Sequence, residues 1–254
     1  MTTPLHTLAF CLDAPMQSWG LHSRGNIRDT GREPSKSGVV GLLGAAIGVE
    51  RHDTTGIAQL AGLRMGIRVD REGILERDYH TVQDVPTTTG GGHRTAVSHR
   101  YYLADALFLI VLESEDKVLL SRINEGLRKP AWPLFLGRRA FVPARALVGA
   151  GQPGEPRSGL GLSDRPLQSV LAEHPWLEDR AELLAVQLRL PEDTRDPLRT
   201  VVDCHPTDPA AEIRPDMPIS FSQADRRFAT RTVRTGHVPL TDSLIRTAEE
   251  IPCT

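Results

Sequence analysis

Cysteine, lysine and aromatic residues are scarce in this chain of 254 residues, and no long apolar run occurs. The three cysteines, Cys11, Cys204 and Cys253, lie far apart, which excludes a disulfide framework and the paired spacing of a zinc ribbon. No segment is apolar over the length that a bilayer requires, and the N-terminus lacks the pattern of a signal peptide. We therefore expect a cytoplasmic protein with no membrane partner, no cofactor and no bound metal.

The overall charge does not indicate a nucleic-acid partner. The formal net charge is −2 and the sequence pI is near 6.5, so a binding site for a polyanion must come from local clusters. Lysine occurs three times among 30 basic residues, and all the others are arginine. Arginine binds phosphate through a planar fork and stacks on bases. A GC-rich genome would also produce this bias, so the excess of arginine alone decides nothing.

The order of apolar patterns predicts an α+β fold with a ferredoxin-like (RRM-like) domain. Strands are predicted at 5–12, 63–69, 106–112 and 140–148, and helices at 36–48 and 115–127. This order is the ferredoxin-like one, which many RNA-binding modules share. We expect this domain over 1–148, a long β-hairpin at 78–103 within it, a linker or extension over 149–180, and a small β-rich region over 181–254. That last region has predicted strands at 183–190 and 228–238.

A predicted helix start carries Ser35, Lys36 and Ser37. Backbone N–H groups at a helix start are unpaired and attract anions, so a cation and two hydroxyls there suggest a phosphate site. The phosphate-binding loop motif of nucleotide triphosphatases is absent. The alternative is an ordinary N-cap serine beside a solvated lysine. The helix then carries three glycines that we expect to pack against a neighbouring backbone: Gly41, Gly44 and Gly48.

Residues 128–145 form a basic stretch without a carboxylate. Its cations are Arg128, Lys129, Arg138, Arg139 and Arg145, with Trp132 and Phe135 between them. Cations interleaved with aromatics suit a single-stranded nucleic acid, because phosphates pair with the former and bases stack on the latter. The alternative is a solvated edge strand with buried aromatics. A second basic group would either extend such a groove or pair with acids of another subunit: Arg226, Arg227, Arg231 and Arg234.

The predicted hairpin carries side chains capable of acid–base chemistry: His80, Arg94, His99, Arg100, Tyr101 and Tyr102. Histidine near tyrosine and arginine could support metal-independent RNA cleavage at a 2′-hydroxyl. No nucleophile–base–orienter set is visible in the sequence. The hairpin could instead be an arm that becomes ordered on a partner, or a purely structural element.

Four segments together resemble the CasD family, the E-type RAMP subunit of the bacterial Cascade complex in CRISPR defence. They are APMQSWG followed by Arg24 and Arg28, then PSKSGVVGLLGAAIG, then LFLGRRAFVPARAL, and finally DRRFATRTV. The resemblance implies a ferredoxin-like RAMP domain with a protruding thumb hairpin, which is the stretch 78–103. It also implies an antiviral ribonucleoprotein subunit that caps the 5′ handle of the CRISPR RNA. Its protein partners would be the backbone subunit and the large subunit, and target DNA would be met only through the complex.

The resemblance also implies residue roles. The RNA-binding set would be Met16, Gln17, Ser18, Trp19, Arg24, Arg28, Ser35, Lys36, Ser37, Arg138 and Arg139. The thumb residues would include His80, Arg94, His99 and Tyr101. A C-type relative uses its equivalent subunit as a nuclease, whereas a separate subunit cuts in E-type systems, so we expect no catalysis. The alternatives are a metal-independent endoribonuclease that processes repeat RNA, and a scaffold whose basic patches face acidic neighbours.

Overall fold

A computed structural model describes residues 4–21, 25–87, 90–149 and 159–245. Over these residues the chain forms eleven strands and five α-helices. The strands are β1 (His6–Asp13), β2 (Met16–Gln17), β3 (Ile27–Arg28), β4 (Arg64–Arg71), β5 (Ile74–Pro86), β6 (His93–Ala104), β7 (Leu107–Ser114), β8 (Gly161–Ser163), β9 (Leu198–Asp203), β10 (Glu212–Ser220) and β11 (Arg227–Val238). The helices are α1 (Lys36–Ile47), α2 (Thr54–Ala61), α3 (Lys117–Arg128), α4 (Leu167–Glu173) and α5 (Ala181–Arg189).

The larger sheet is antiparallel and has seven strands in the order β10-β11-β9-β4-β7-β1-β8. Its central strands are buried on both faces. Leu8 and Phe10 of β1 pack into a core with α1, α2 and α3, whereas Ala9 and Cys11 pack with α4 on the opposite face. Because side chains alternate along a strand, two covered faces require an unbroken apolar run. This explains the sequences of β1 and β7.

Most of the predicted elements are confirmed, but the strand predicted at 140–148 is wrong. This segment runs beside β1 and makes two backbone hydrogen bonds to it, from Cys11 N to Leu147 O and from Ala144 N to Asp13 O, each 2.8 Å. It does not extend as a ladder before Ala144, because Pro143 has no N–H to donate. The strand that pairs with β1 at this edge is β8 instead.

The strand predicted at 183–190 is also wrong, since this segment forms α5. Alanine, leucine, glutamate, glutamine and arginine dominate it, and these residues favour helix. Strands β9 and most of β10 lie in the proline- and aspartate-rich stretch where no strand was predicted. Pro215 and Pro218 are tolerated in β10 because it is the outer strand of the sheet. Strands from both sides of residue 148 share the sheet, and the division of the chain there stays a prediction.

The long hairpin is present and is longer than predicted. It consists of β5 and β6, paired from Ile74 opposite Ala104 to Pro86 opposite His93. At its base, β2 pairs antiparallel and β3 pairs parallel with β6, which gives a second, four-stranded sheet. The side chains of β5 are almost all exposed. The hairpin is therefore anchored through β6 alone and presents β5 to solvent.

Gly41 and Gly48 have roles different from those expected, whereas Gly44 packs near the backbone oxygen of Val49. A Cβ at Gly38 would lie 2.7 Å from the ring of Trp19, so the close approach occurs there. Gly48 ends the helix with a left-handed φ of 77°. Gly41 is exposed, and a Cβ there would meet no atom within 4 Å, so the prediction that Gly41 packs against a backbone is wrong. None of the helices in the described ranges is long and apolar enough to cross a membrane.

Candidate nucleic-acid interface

The turn at residues 137–139 lies directly against the segment 16–19. Gly137 has a φ of +92°, and a Cβ there would overlap the carbonyl oxygen of Ser18. The backbone N–H of Ser18 donates to Leu136 O at 3.1 Å. Only glycine permits both the left-handed φ and this contact. The turn therefore directs Arg138 and Arg139 from a fixed point, each toward a different neighbour.

Arg138 meets two other arginines at the base of the hairpin. Parallel pairing of β3 with β6 places Arg28 opposite Arg100. The Arg138 guanidinium donates to Tyr101 O at 2.6 Å and to Arg28 O at 3.5 Å. It also stacks over the Phe141 ring, 5.3 Å from the centroid. We call Arg28, Arg100 and Arg138 the three-arginine cluster.

Positive charge accumulates in the three-arginine cluster without a direct counter-charge. In the part of the chain that the structure describes, none of the three guanidinium groups forms an ion pair with a carboxylate. Burial, and then the charge of Arg100, lower the pKa of Arg138; Asp78 opposes the shift and Arg28 adds to it. Arginine stays protonated nevertheless. The cluster is a site where an anion would relieve repulsion between like charges.

Three of the four residues at 16–19 have a structural role and no exposed side chain. Gln17, Ser18 and Trp19 are buried, and the Gln17 amide donates to Ala106 O at 2.8 Å. The Trp19 indole N–H donates to Gln17 Oε1 at 3.2 Å. Met16 is 36% exposed. The expected direct contact of these side chains with RNA is thus corrected for the three buried residues, of which Ser18 contacts the 137–139 turn through its backbone.

Lys36 does not point to solvent. Its side chain is 1% exposed, and its ammonium donates to Leu63 O and to Asp203 Oδ2, the latter at 2.9 Å. Arg231 pairs with Asp203 and with Asp216, and the distance from Arg231 Nε to Asp216 Oδ1 is 2.7 Å. We call Lys36, Asp203, Asp216 and Arg231 the inner ion network. The prediction that Lys36 binds a phosphate is corrected, because its charge is already neutralised inside the protein.

The start of α1 is already occupied by a carboxylate of the protein itself. The backbone N–H of Lys36 donates to Asp216 Oδ2 at 2.7 Å. Ser35 is buried, and its hydroxyl caps the helix by accepting from Gly38 N at 3.3 Å. This helix start binds an anion, as its unpaired N–H groups predict, but the anion is Asp216. Ser35 is therefore an ordinary N-cap, which the sequence left open as the alternative.

Ser37 and Arg139 line a groove of about 980 Å³ that runs along α1. The exposed small residues of α1, such as Gly41, form its floor, and the segment 132–135 forms a wall. Arg226 lines the same groove. The sequence left two roles open for Arg226, extending a basic groove or pairing with acids of another subunit. This position favours the first role. The other three are paired within the chain: Arg227 with Asp225, Arg231 in the inner ion network, and Arg234 with Asp208.

The hairpin histidines lie on opposite faces. His80 pairs with Ser98 and His99 with Tyr79, and Tyr79 and His80 are consecutive, so their side chains point to opposite sides. Tyr79 and His99 form an edge-to-face contact at 5.6 Å. Arg94 is exposed at the start of β6, near the tip of the hairpin. Tyr101 accepts a hydrogen bond from Arg138 through its backbone oxygen. His80 and His99 are therefore not arranged as one acid–base pair.

Arg100 is the functional candidate that the sequence did not place in the RNA-binding set. It was noted as a hairpin residue, and only the pairing of β3 with β6 brings it beside Arg28. No periodicity could have revealed a two-residue strand that pairs in parallel with a hairpin. Arg24 lies outside the described residues.

A family model and two solved structures match nearly the whole chain, and a curated relative matches more than half of it. The model of a family described as CRISPR-associated protein (Cas_Cas5) matches residues 7–234. CRISPR system Cascade subunit CasD from Escherichia coli (strain K12) is 34% identical over 164 residues, which are 59% of this chain and 73% of the relative. A solved chain titled "CRISPR RNA-guided surveillance complex" has a TM-score of 0.73 at 29% identity, covering 95% of this chain and 93% of that one. A second, titled "Crystal structure of Cas protein", has a TM-score of 0.66 at 32% identity, covering 97% of each chain.

Proposed function

Since the chain belongs to the CasD/Cas5 family of CRISPR-associated proteins, we propose that it is a non-catalytic RNA-binding subunit of a Cascade surveillance complex. In this role it caps the 5′ handle of the CRISPR RNA in the cytoplasm. It contacts the neighbouring backbone subunit and the large subunit, and it meets target DNA only through the assembled particle. The names of the relatives support membership of a Cascade complex, and the charge distribution of this chain supports RNA binding.

The observation that carries the proposal is the three-arginine cluster. Three arginines meet where β3, β6 and the 137–139 turn come together. No described carboxylate forms an ion pair with them, although Asp78 lies opposite Arg100 in the β5–β6 ladder. Planar guanidinium forks bind phosphate in two-point contacts. A sugar–phosphate chain that crosses this point would supply the missing negative charge. Arg28 is exposed, so the cluster is open to a ligand.

The strand order supports a ferredoxin-like core for this subunit. Strands β8, β1, β7 and β4 are adjacent in that order, with α1 and α2 between β1 and β4 and with α3 after β7. This is the connectivity of the ferredoxin-like unit. The hairpin of β5 and β6 is inserted between β4 and β7, where a thumb would project from the domain.

The arrangement of the hairpin supports a non-catalytic role. A metal-independent ribonuclease needs an acid and a base that reach the same 2′-hydroxyl and phosphate. His80 and His99 lie on opposite faces of β5 and β6, so they do not act on one bond together. Specific cleavage of repeat RNA in the presence of a chelator, abolished by His99→Ala, would contradict the non-catalytic assignment.

The test is the double variant Arg28→Ala with Arg138→Ala in the complete complex. We expect CRISPR RNA to crosslink near Arg28 and Arg138 in the wild type. We expect at least a tenfold loss of RNA affinity in the double variant, since each phosphate contact is charge-assisted. The matched control removes two charges elsewhere, from the exposed side chains of Arg122 and Arg189. Assembly and RNA affinity that equal those of the control at physiological salt would overturn the proposal.

A further inference from the structure

The groove along α1 is chemically different from the three-arginine cluster. Its surface is mainly apolar, and the indole of Trp132, which is 44% exposed, stands at its wall. Phe135 and Phe221 add two more aromatic rings to the lining. The floor at Gly41 is open, because nothing lies within 4 Å of a Cβ there. We call this space the helix groove.

The rim of the helix groove is basic. Arg51, Arg139 and Arg226 line it, and Glu50 is the one carboxylate among its described lining residues. Within the described ranges none of the three arginines forms an ion pair with a carboxylate, and Arg226 lies over the Phe228 ring at 5.9 Å. Cations around an aromatic, apolar floor are the combination that single-stranded nucleic acids require.

One turn, residues 137–139, contributes to both the helix groove and the three-arginine cluster. Arg138 is directed to the cluster and its neighbour Arg139 to the groove, and Gly137 lines the groove between them. Consecutive Cα atoms are 3.8 Å apart. A strand with a phosphate at Arg138 therefore brings its next nucleotides to the mouth of the groove.

We propose that the helix groove is a nucleobase subsite, which receives unpaired bases of the RNA strand whose phosphates the three-arginine cluster holds. This inference rests on the proposed function. The base stacks on Trp132 above Gly41, while Arg139 and Arg226 neutralise the flanking phosphates. A volume of about 980 Å³ lies at the upper end of the range for small-ligand pockets, so it holds more than one base.

An acidic, apolar peptide from a neighbouring subunit is the competing occupant. It would use the same basic rim, but it would not require an exposed indole beside an open glycine floor. It would also leave unexplained why the turn that lines the groove carries Arg138 of the three-arginine cluster. Because the groove and the cluster share one turn, a single strand that occupies both accounts for more of the observations.

The variant Gly41→Leu tests the subsite by filling its floor. Leucine has a higher helix propensity than glycine, and a Cβ at this exposed position meets no atom within 4 Å, so the fold is expected to be retained. Ala58→Leu is the matched control, since it adds a leucine to an exposed position of α2 outside the groove. Thermal unfolding of both full-length variants checks that they fold.

The probes are a short single-stranded RNA of mixed sequence and an abasic ribose-phosphate strand of the same length. We expect the wild type to bind the RNA about tenfold more tightly, from stacking of one or two bases. Gly41→Leu and Trp132→Ala should remove this preference and leave abasic binding unchanged. Arg28→Ala with Arg138→Ala should weaken both strands equally. Photocrosslinking of 5-iodouracil RNA should label Trp132.

The outcomes separate this proposal from the proposed function. Equal wild-type affinity for the two strands, still reduced by Arg28→Ala with Arg138→Ala, overturns the subsite and leaves the phosphate site intact. Unchanged RNA binding in Gly41→Leu, with loss of a neighbouring subunit from the complex, overturns it in favour of a protein occupant. Failure of the wild type to bind either strand, with no crosslink in the complete complex, overturns both proposals.

Discussion

Two basic regions of this protein differ in whether carboxylates accompany the cations. The inner ion network pairs Lys36 and Arg231 with Asp203 and Asp216, so its formal charge is zero. The three-arginine cluster has three positive charges and, among the described residues, no carboxylate in contact. The cations of the first region are therefore used in the fold, whereas those of the second remain available to a ligand.

Burial explains why the two regions differ. A charge that is removed from water is tolerated only when it is paired and hydrogen bonded. Lys36 is 1% exposed, so the fold must provide Asp203 and Leu63 O as its partners. Arg28 is exposed and needs no internal partner. A basic residue is thus a candidate for ligand binding when it is both accessible and unpaired.

The largest expected effect is on stability, from Lys36→Met. The substitution leaves Asp203 with one cation instead of two and removes the donor to Leu63 O. We expect the free energy of unfolding to fall by about 3 to 5 kcal/mol, as when a buried ion pair loses one partner. Urea unfolding of the full chain measures this.

The control for Lys36→Met is Lys117→Met, which breaks an exposed pair at 3.2 Å to Asp164 and should leave the free energy of unfolding almost unchanged, because water screens the pair. RNA affinity, measured where Lys36→Met is still folded, should remain within about twofold of the wild type, a shift of roughly 0.4 kcal/mol. A large loss of RNA affinity without a loss of stability would show that Lys36 contacts the ligand. It would contradict the assignment of the inner ion network to the fold alone.

A smaller effect is expected in acid, through Asp203. Burial alone would raise the pKa of Asp203, but Lys36 and Arg231 hold it below the ordinary value of 3.8. Because the folded pKa is the lower one, this carboxylate stabilises the fold above about pH 4 and loses that contribution as the pH falls through the folded value. Urea unfolding between neutral and acidic pH should show the loss.

The comparison variant for the acid effect is Asp203→Asn, which should be less stable at neutral pH and should lose less stability in acid. Asp225→Asn, at a pair in which both side chains are more than half exposed, serves as the control and should follow the wild-type profile. If the pH profiles of stability of Asp203→Asn and the wild type were parallel, the pKa of Asp203 would be the same in the folded and unfolded states.

The central fold could be predicted because its strands are buried on both faces. Unbroken apolar runs such as β7, followed by the amphipathic helix α3, are local patterns that survive in any context. Of the C-terminal strands, β11 was predicted at 228–238, whereas β9 and β10 were not. Strand β10 contains two prolines, which an outer strand tolerates, and α5 has enough apolar residues to resemble a strand. In both segments tertiary position, not local pattern, decides the structure.

The sequence identified the segments that form the candidate site, but it did not show which of their side chains are exposed. The sequence identified both the 16–19 segment and the 137–139 turn, and the structure brings them together through Gly137 and Ser18. It could not show that the Lys36 ammonium pairs with Asp203, 167 positions later in the chain, or that the Lys36 backbone N–H binds Asp216, 180 positions later. It also could not place Arg100 beside Arg28, because that contact depends on a parallel pairing of two residues.

The smallest expected effect is on the salt dependence of RNA binding, and it tests the three-arginine cluster. Each phosphate that a cation neutralises on a single strand contributes about −0.7 to the slope of log affinity against log salt. Three contacts predict a slope of about −2, and Arg138→Ala should reduce its magnitude by about 0.7. Arg145→Ala is the control, because Arg145 is paired with Asp13 at 2.5 Å and with Asp179 at 2.6 Å. If both variants changed the slope equally, pairing within the fold would not determine which arginines meet the phosphates.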